Sequence, residues 1–525
     1  MSSTALQWLS LVGVIWLQAI NGTNNNFPAY SSQLKQLLSI SQLQLNNLAF
    51  ASDAGKLFGW FSGFAVTYLP LWLVLVIGSI LGLIGYGVQY LFITNHISSL
   101  SYWHVFFLTV LAGNSICWIN TVCYVVIIRN FPAHHRQVAV GLSTSYQGLS
   151  AKIYTNIVES VSPHQKARTF LFLNSVTPLI VSIIAAPLVR EIKAKTTKTG
   201  SSSSSHMGVG FIIMFVITIG TGIFAVMTSL QFLSGKLSPL SSLIGISVTL
   251  LIPLLVPITE KVKELVGLWQ TKREKQRVYH FTAEDNSSDT EETRTEDEVK
   301  HKEEEEDHVV FGVREEIGWK LIMRRIDFWL YFFVYFFGAT IGMVFLNNLG
   351  QIAESRGYSG TSSLVSLSSS FSFFGRLMPS LLDYFYRGKS RISRPATMVA
   401  LMAPTSASFF LLLNRKDLSL YMSTAMIGIC TGAITSIAVS TTTELFGTKN
   451  FSVNHNVVVA NIPIGSFLFG ISAALVYRKH GSHGKCIGME CYRSTFILWG
   501  SLCCLGTVLA LILHARTRKF YSQKP

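Results

Sequence analysis

Four ionisable side chains, Asp53, Lys56, Lys152 and Arg376, stand inside long apolar stretches of this chain. A charge near the middle of a bilayer costs roughly 2.5–3.5 kcal/mol on insertion scales, so such groups persist where they face a polar cavity or a partner. Lys56 follows Gly55 and Arg376 follows Gly375, near the middle of comparable stretches. Two cations at corresponding positions would make a positive floor between two helical bundles and would suit an anionic solute. A guanidinium can grip a carboxylate with two bonds, while an ammonium acts as a point charge. Asp53 and Lys56 lie three residues apart and so share a helical face. A proton on Asp53 would release Lys56 to the solute; a static pair would only orient the helix. For Arg376 the structural alternative is a cation snorkelling to an interface.

Amides form a second set. Asn21, Asn24, Asn25 and Asn26, with Tyr30, end the first apolar stretch, and Asn347, Asn348 and Gln351 end another. Amides donate and accept, which suits a polar solute, and Gly22 can loosen the helix around it. The same residue types also hold membrane helices together without any ligand. Gln18, Asn114, Asn120, Tyr146, Gln147, His455, Asn456 and Asn461 are weaker lining candidates.

The elements that must position these residues are membrane helices. The chain is 13% charged and 49% hydrophobic over 525 residues, far from a soluble composition. Pro, Gly and charge clusters divide it into about 14 spans, near 6–34, 44–69, 71–93, 104–128, 137–158, 168–190, 209–233, 239–258, 327–352, 361–385, 395–413, 418–443, 453–477 and 494–515. The first lacks the positive n-region and small-residue cleavage site of a signal peptide and reads as a span. The formal charge of +15 argues for basic flanks against anionic lipid rather than for nucleic acid. Short loops with Arg129 and Arg136, Arg190 to Lys198, Arg387 to Arg394, and Arg516 to Lys519 favour cytoplasmic termini, although the basic 478–493 loop then falls outside.

The order of elements repeats. Trp8 and Lys56 are separated by the same 48 residues as Phe328 and Arg376, and both leading spans turn amide-rich near their ends. The chain therefore reads as an N-terminal six-helix bundle (1–190), a basic, Ser-rich loop with an extra helix pair (191–258), a disordered charged cytoplasmic linker (259–326) and a C-terminal six-helix bundle (327–525). About half of all acidic residues fall between Glu284 and Asp307, a composition too polar to bury a core.

His480, His483, Cys486 and Cys491 share one loop, but their spacing fits no standard zinc site; Cys486 and Cys491 are a candidate disulfide. No metal or cofactor is expected, and no phosphate-binding glycine loop argues for ATP-driven pumping. No convergent His, Asp or Glu set marks an enzyme.

Specific residues also carry a resemblance. Trp16-Leu-Gln18, Asn21-Gly22, Phe27, Tyr30-Ser31, Ser41-Gln-Leu-Gln-Leu-Asn-Asn47-Leu, Ser52-Asp53-Ala-Gly55-Lys56, Phe58-Gly59, Gly85-Tyr-Gly-Val-Gln89, Gly113-Asn114-Ser115 and Arg129-Asn130-Phe131 resemble the plant nodulin-like proteins of the major facilitator superfamily, including the nuclear fusion defective group. The C-terminal half resembles them more loosely, through Asn347-Asn348-Leu349-Gly350-Gln351 and Gly375-Arg376. The resemblance implies two six-helix bundles, alternating access and a mild preference for small organic anions. The superfamily's gate signature is degenerate here: Asp383, Arg387, Gly388 and Lys389 resemble it, while Tyr68-Leu69-Pro70-Leu71 has no charge.

The expectation is thus an all-α polytopic secondary transporter in the plasma or vacuolar membrane, moving a small polar or anionic solute with protons through Asp53. Lys56, Arg376, Lys152, Asn21, Asn25, Tyr30, Asn347, Asn348 and Gln351 would bind the solute, and Asp383 and Arg387 would gate it. The oligomeric state is left open. The rival is a non-transporting scaffold or receptor acting through the linker.

Overall fold

The computed structural model describes residues 3–192, 202–229, 238–282, 314–358, 360–386, 392–481 and 486–522. These residues are helical, with no strand among them. Ten segments are long and apolar enough to cross a bilayer, which makes the chain a multi-pass membrane protein. Helical segments also occupy the other four expected positions, 42–68, Ala133–Val161, Thr361–Tyr386 and Arg394–Leu411, without meeting that criterion. Three of these four carry Asp53 and Lys56, Lys152, or Arg376. The charges that lower their hydropathy are those expected to face inward.

The exterior is apolar, with Trp72, Phe107, Ile183, Val216 and Leu468 exposed, while Ser52, Asp53, Lys56 and Asn174 are buried. In a bilayer only the interior can satisfy polar groups, so this inversion is expected.

Both leading spans are broken where their amides lie. The first runs as Ser3–Ile20, a 3-10 turn at Thr23–Asn26 and Phe27–Leu37, with Pro28 in the first turn of the last segment. Its counterpart runs as Ile326–Tyr335, a π turn at Phe336–Thr340, Ile341–Asn347 and Leu349–Ser355. Proline and short polar side chains that bond their own backbone disfavour regular helix at such points.

The repeat is visible in packing. A Cβ on Gly55 would lie 2.2 Å from the Val110 carbonyl, and one on Gly375 would lie 2.0 Å from that of Ile429. Gly113 meets the Ser52 carbonyl as Gly432 meets that of Ser372. In each half, then, the glycine lets two helices touch backbone to backbone, and the basic residue after it turns to the other side.

The extra helices, Ser202–Ser229 and 239–267, lie against Ala133–Val161, and the former also packs on Thr361–Tyr386. Trp16 Nε1 donates to the Leu250 carbonyl (2.8 Å), and Tyr384 Oη donates to that of Gly208 (3.0 Å). Both described ends of the 259–326 stretch have structure. Its start is helical to residue 282 within Leu255–Thr282, and its end packs on the C-terminal half. There Arg314 N donates to the Glu444 carbonyl (2.7 Å), Ile317 N to that of Phe446 (3.2 Å), and Ile322 is fully buried. Apolar residues such as Ile317 and Ile322, scattered among charges, give these ends a face to bury that average composition hides.

Candidate functional site

A cavity of about 130 Å³ opens between the N-terminal and C-terminal halves. The N-terminal half lines it with Asn24, Asn25, Asp53, Lys56, Asn120 and Gln147, and the C-terminal half with Tyr335, Asn347, Arg376, His455 and Asn456, among others. Both cations of the repeat reach it. Lys56 sits in the 3-10 turn Gly55–Phe58, which interrupts the helix between Gln42–Ala54 and Gly59–Tyr68.

The charges are arranged unequally. Lys56 Nζ donates to Asp53 Oδ1 at 2.6 Å, and both residues are buried, at 6% and 2% exposure. Asn347 Nδ2 donates to Asp53 Oδ2 at 3.1 Å from the opposite half. Arg376, by contrast, has only neutral partners among the described residues: its Nη1 donates to Gln147 Oε1 at 2.9 Å, and its Nε is enclosed with no partner among them. Asp53 is the one carboxylate among the lining residues, so the two cations Lys56 and Arg376 leave the cavity with a surplus of one positive charge. Gln147 is in turn held by Asn120 Oδ1 (3.4 Å), which also accepts from Asn21 Nδ2 (3.0 Å).

Of the expected site residues, the cavity therefore gathers Lys56, Arg376, Asp53, Asn25 and Asn347. The others lie elsewhere, for identifiable reasons. Asn21 sits behind the wall, bonded to Asn120 and the Ile116 carbonyl. Tyr30 stacks on Phe170 with ring centres 5.1 Å apart. Asn348 bonds the Val344 carbonyl and Asn46, and Gln351 bonds Ser31, so both join helices rather than line space. Lys152 is the largest departure. Its Nζ donates to the Thr228 carbonyl (3.0 Å) of Ser202–Ser229, and the residue does not line the cavity.

Asp383 pairs with Arg394 (2.7 Å), which also bonds Glu444 (2.9 Å). Arg387, the other expected gate residue, lies outside the described residues. Cys486 and Cys491 form a disulfide. His480 Nδ1 contacts the Val476 carbonyl, and His483 lies outside the described residues.

Of the weaker candidates, Asn120, Gln147, His455 and Asn456 line the cavity, whereas Gln18, Asn114, Tyr146 and Asn461 do not. Sequence reasoning missed Tyr124, Tyr335, Thr431, Thr435, Ser368 and Ser372. The crowded serines of 366–372, periodic on one helix, were a usable signal; the tyrosines were indistinguishable from core.

The architecture is that of a major facilitator transporter. It superposes on the proton:xylose symporter XylE of that superfamily with a TM-score of 0.55 at 11% identity, covering 99% of this chain and 97% of that one. On the peptide transporter POT the TM-score is 0.53 at 12% identity, covering 99% and 95%. Within that class the sequence is more specific. The nodulin-like family model matches residues 7–259, and the model described as NFD4, C-terminal domain, matches 310–523. Protein NUCLEAR FUSION DEFECTIVE 4 of Arabidopsis thaliana is 38% identical, over 98% of this chain and 89% of that relative. The chain belongs to the nodulin-like family.

Proposed function

We propose that this chain is a secondary active transporter that carries a small organic anion through the central cavity by alternating access, coupled to protons at Asp53. The observation that carries this reading is Arg376, a cation on the cavity wall with no carboxylate partner among the described residues. At about 4 Å and an effective dielectric near 20, an anion would gain about 4 kcal/mol from such a charge. That is comparable to the cost of keeping the charge in the membrane, so the solute would supply the missing counter-ion.

With Asp53 ionised, its carboxylate balances Lys56. A proton on Asp53 leaves Lys56 free, raises the positive surplus and strengthens anion binding. Loss of the proton restores the pair and expels the anion. Of the two structural neighbours, the xylose carrier is named as a proton symporter, which accords with this coupling. The termini lie in the cytoplasm, which places the Cys486–Cys491 disulfide on the oxidising side of the plasma or vacuolar membrane.

The test is uptake of radiolabelled organic anions, amino acids and sugars by proteoliposomes, with and without an inward proton gradient. The reading expects an anion to accumulate only with the gradient. Accumulation of a neutral sugar alone, or of nothing by folded protein, would overturn it.

A further inference from the structure

Among the described residues, three side-chain-to-side-chain hydrogen bonds cross between the two halves at the cavity wall, and they differ in charge. Asn347 of the C-terminal half donates to Asp53 of the N-terminal half (3.1 Å). Gln147 of the N-terminal half accepts from Arg376 of the C-terminal half (2.9 Å). Asn456 of the C-terminal half donates to Thr121 Oγ1 of the N-terminal half (3.2 Å). The first two each join a neutral amide to a charged group, with opposite polarity: an amide N–H meets a carboxylate, and an amide oxygen meets a guanidinium. The third is neutral at both ends.

Resting on the transport reading above, we infer that Asn347 and Gln147 are positioning residues that couple the separation of the halves to what the cavity holds. Asn347 senses the proton on Asp53, and Gln147 senses the anion on Arg376. Charge-assisted bonds are roughly twice as strong as neutral ones, so protonating Asp53 weakens its hold on Asn347. An anion on Arg376 competes for the N–H groups that Gln147 accepts. Each ligand therefore loosens one cross-half bond, and the two together release both charge-dependent ties. The Asn456–Thr121 bond carries no charge and responds to neither.

The surroundings of Asp53 keep this assignment specific. The ionisable groups facing it are Lys56 from its own turn, Tyr86 from Leu71–Ile93 and Cys117 from Tyr102–Asn130. The helix Asn461–His480, packed on the same span, carries ionisable side chains only in its last turn, and Ile341–Asn347 contributes the amide and no ionisable group. Arg376 and His455 line the same cavity from the other half. Tyr86 is engaged with Thr23, which leaves Asn347 as the cross-half ligand of the carboxylate.

The test uses the full chain in proteoliposomes with radiolabelled formate, lactate and oxalate as probes. Proton-driven uptake and anion exchange at equal pH are measured for the native protein and for Asn347→Ala, Asn347→Gln and Asn456→Ala. In Asn347→Ala the ratio of proton-driven accumulation to exchange is expected to fall on the order of tenfold and the pH dependence to flatten. Asn347→Gln should restore part of the slope, and Asn456→Ala should leave the shape of the pH profile unchanged. Native pH dependence in Asn347→Ala, or the same flattening in Asn456→Ala, would overturn the inference while leaving the transport reading intact. Failure of the native chain to move any of the three anions would overturn both.

Discussion

At the scale of single residues, the proposed chemistry rests on an imbalance: among the described residues Lys56 has a carboxylate partner and Arg376 has none. Replacing Arg376 with Ala should abolish anion uptake while the protein stays folded, because Gln147 loses only a charged donor. Arg376→Lys keeps the charge but loses the planar fork, so uptake should persist with KM raised about tenfold, roughly the value of one charge-assisted bond. Initial-rate uptake over a range of anion concentrations separates the two. Asp53→Asn fixes the side chain in an uncharged state, and the acid stimulation of uptake should vanish while exchange continues; uptake against pH checks it. Asp53, Lys56 and Arg376 were legible in sequence because their cost in apolar surroundings is high and few environments repay it. Asn348, Gln351 and Tyr30 lie off the cavity wall, since an amide or a phenol satisfies itself as well between helices as beside a solute.

At the scale of elements, glycines decide where the basic residues point. Gly55 and Gly375 press their helices onto neighbouring backbone, so a larger residue must push the helices apart. Gly375→Val should destabilise the protein by about 3 kcal/mol. A lowered midpoint in thermal unfolding in detergent, with the native midpoint kept in Gly470→Ala, would support this; a Cβ on Gly470 meets nothing within 4 Å. Lys152 works at this scale too, anchoring Ser202–Ser229 through the Thr228 carbonyl. Lys152→Met should lower the midpoint and leave the pH dependence of uptake unchanged, which would separate it from the site. The matched 48-residue spacings exposed the repeat, yet the sequence did not show which side of a helix Lys152 would take. Ala151 lines the cavity and Lys152, one residue and about 100° onward, does not.

At the scale of the whole molecule, two halves enclose one cavity, and a helix pair lies along one side of their seam. The multi-pass helical class was legible in the sequence because bilayer thickness fixes span length, and ten of the described segments are long and apolar enough to cross. It was less informative about the linker, whose ends fold because Ile317 and Ile322 find the C-terminal half. If the bundle is the working part, deleting 284–307 should leave proton-driven uptake within about twofold of native, whereas a scaffold acting through the linker would lose its output. The most direct measurement is uptake of the organic anion panel by native and Arg376→Ala protein at matched reconstitution, with and without an inward proton gradient. Gradient-dependent accumulation of an anion by the native chain and its loss in Arg376→Ala is the predicted result. Equal accumulation by both proteins would contradict the assignment of Arg376 as the anion's partner.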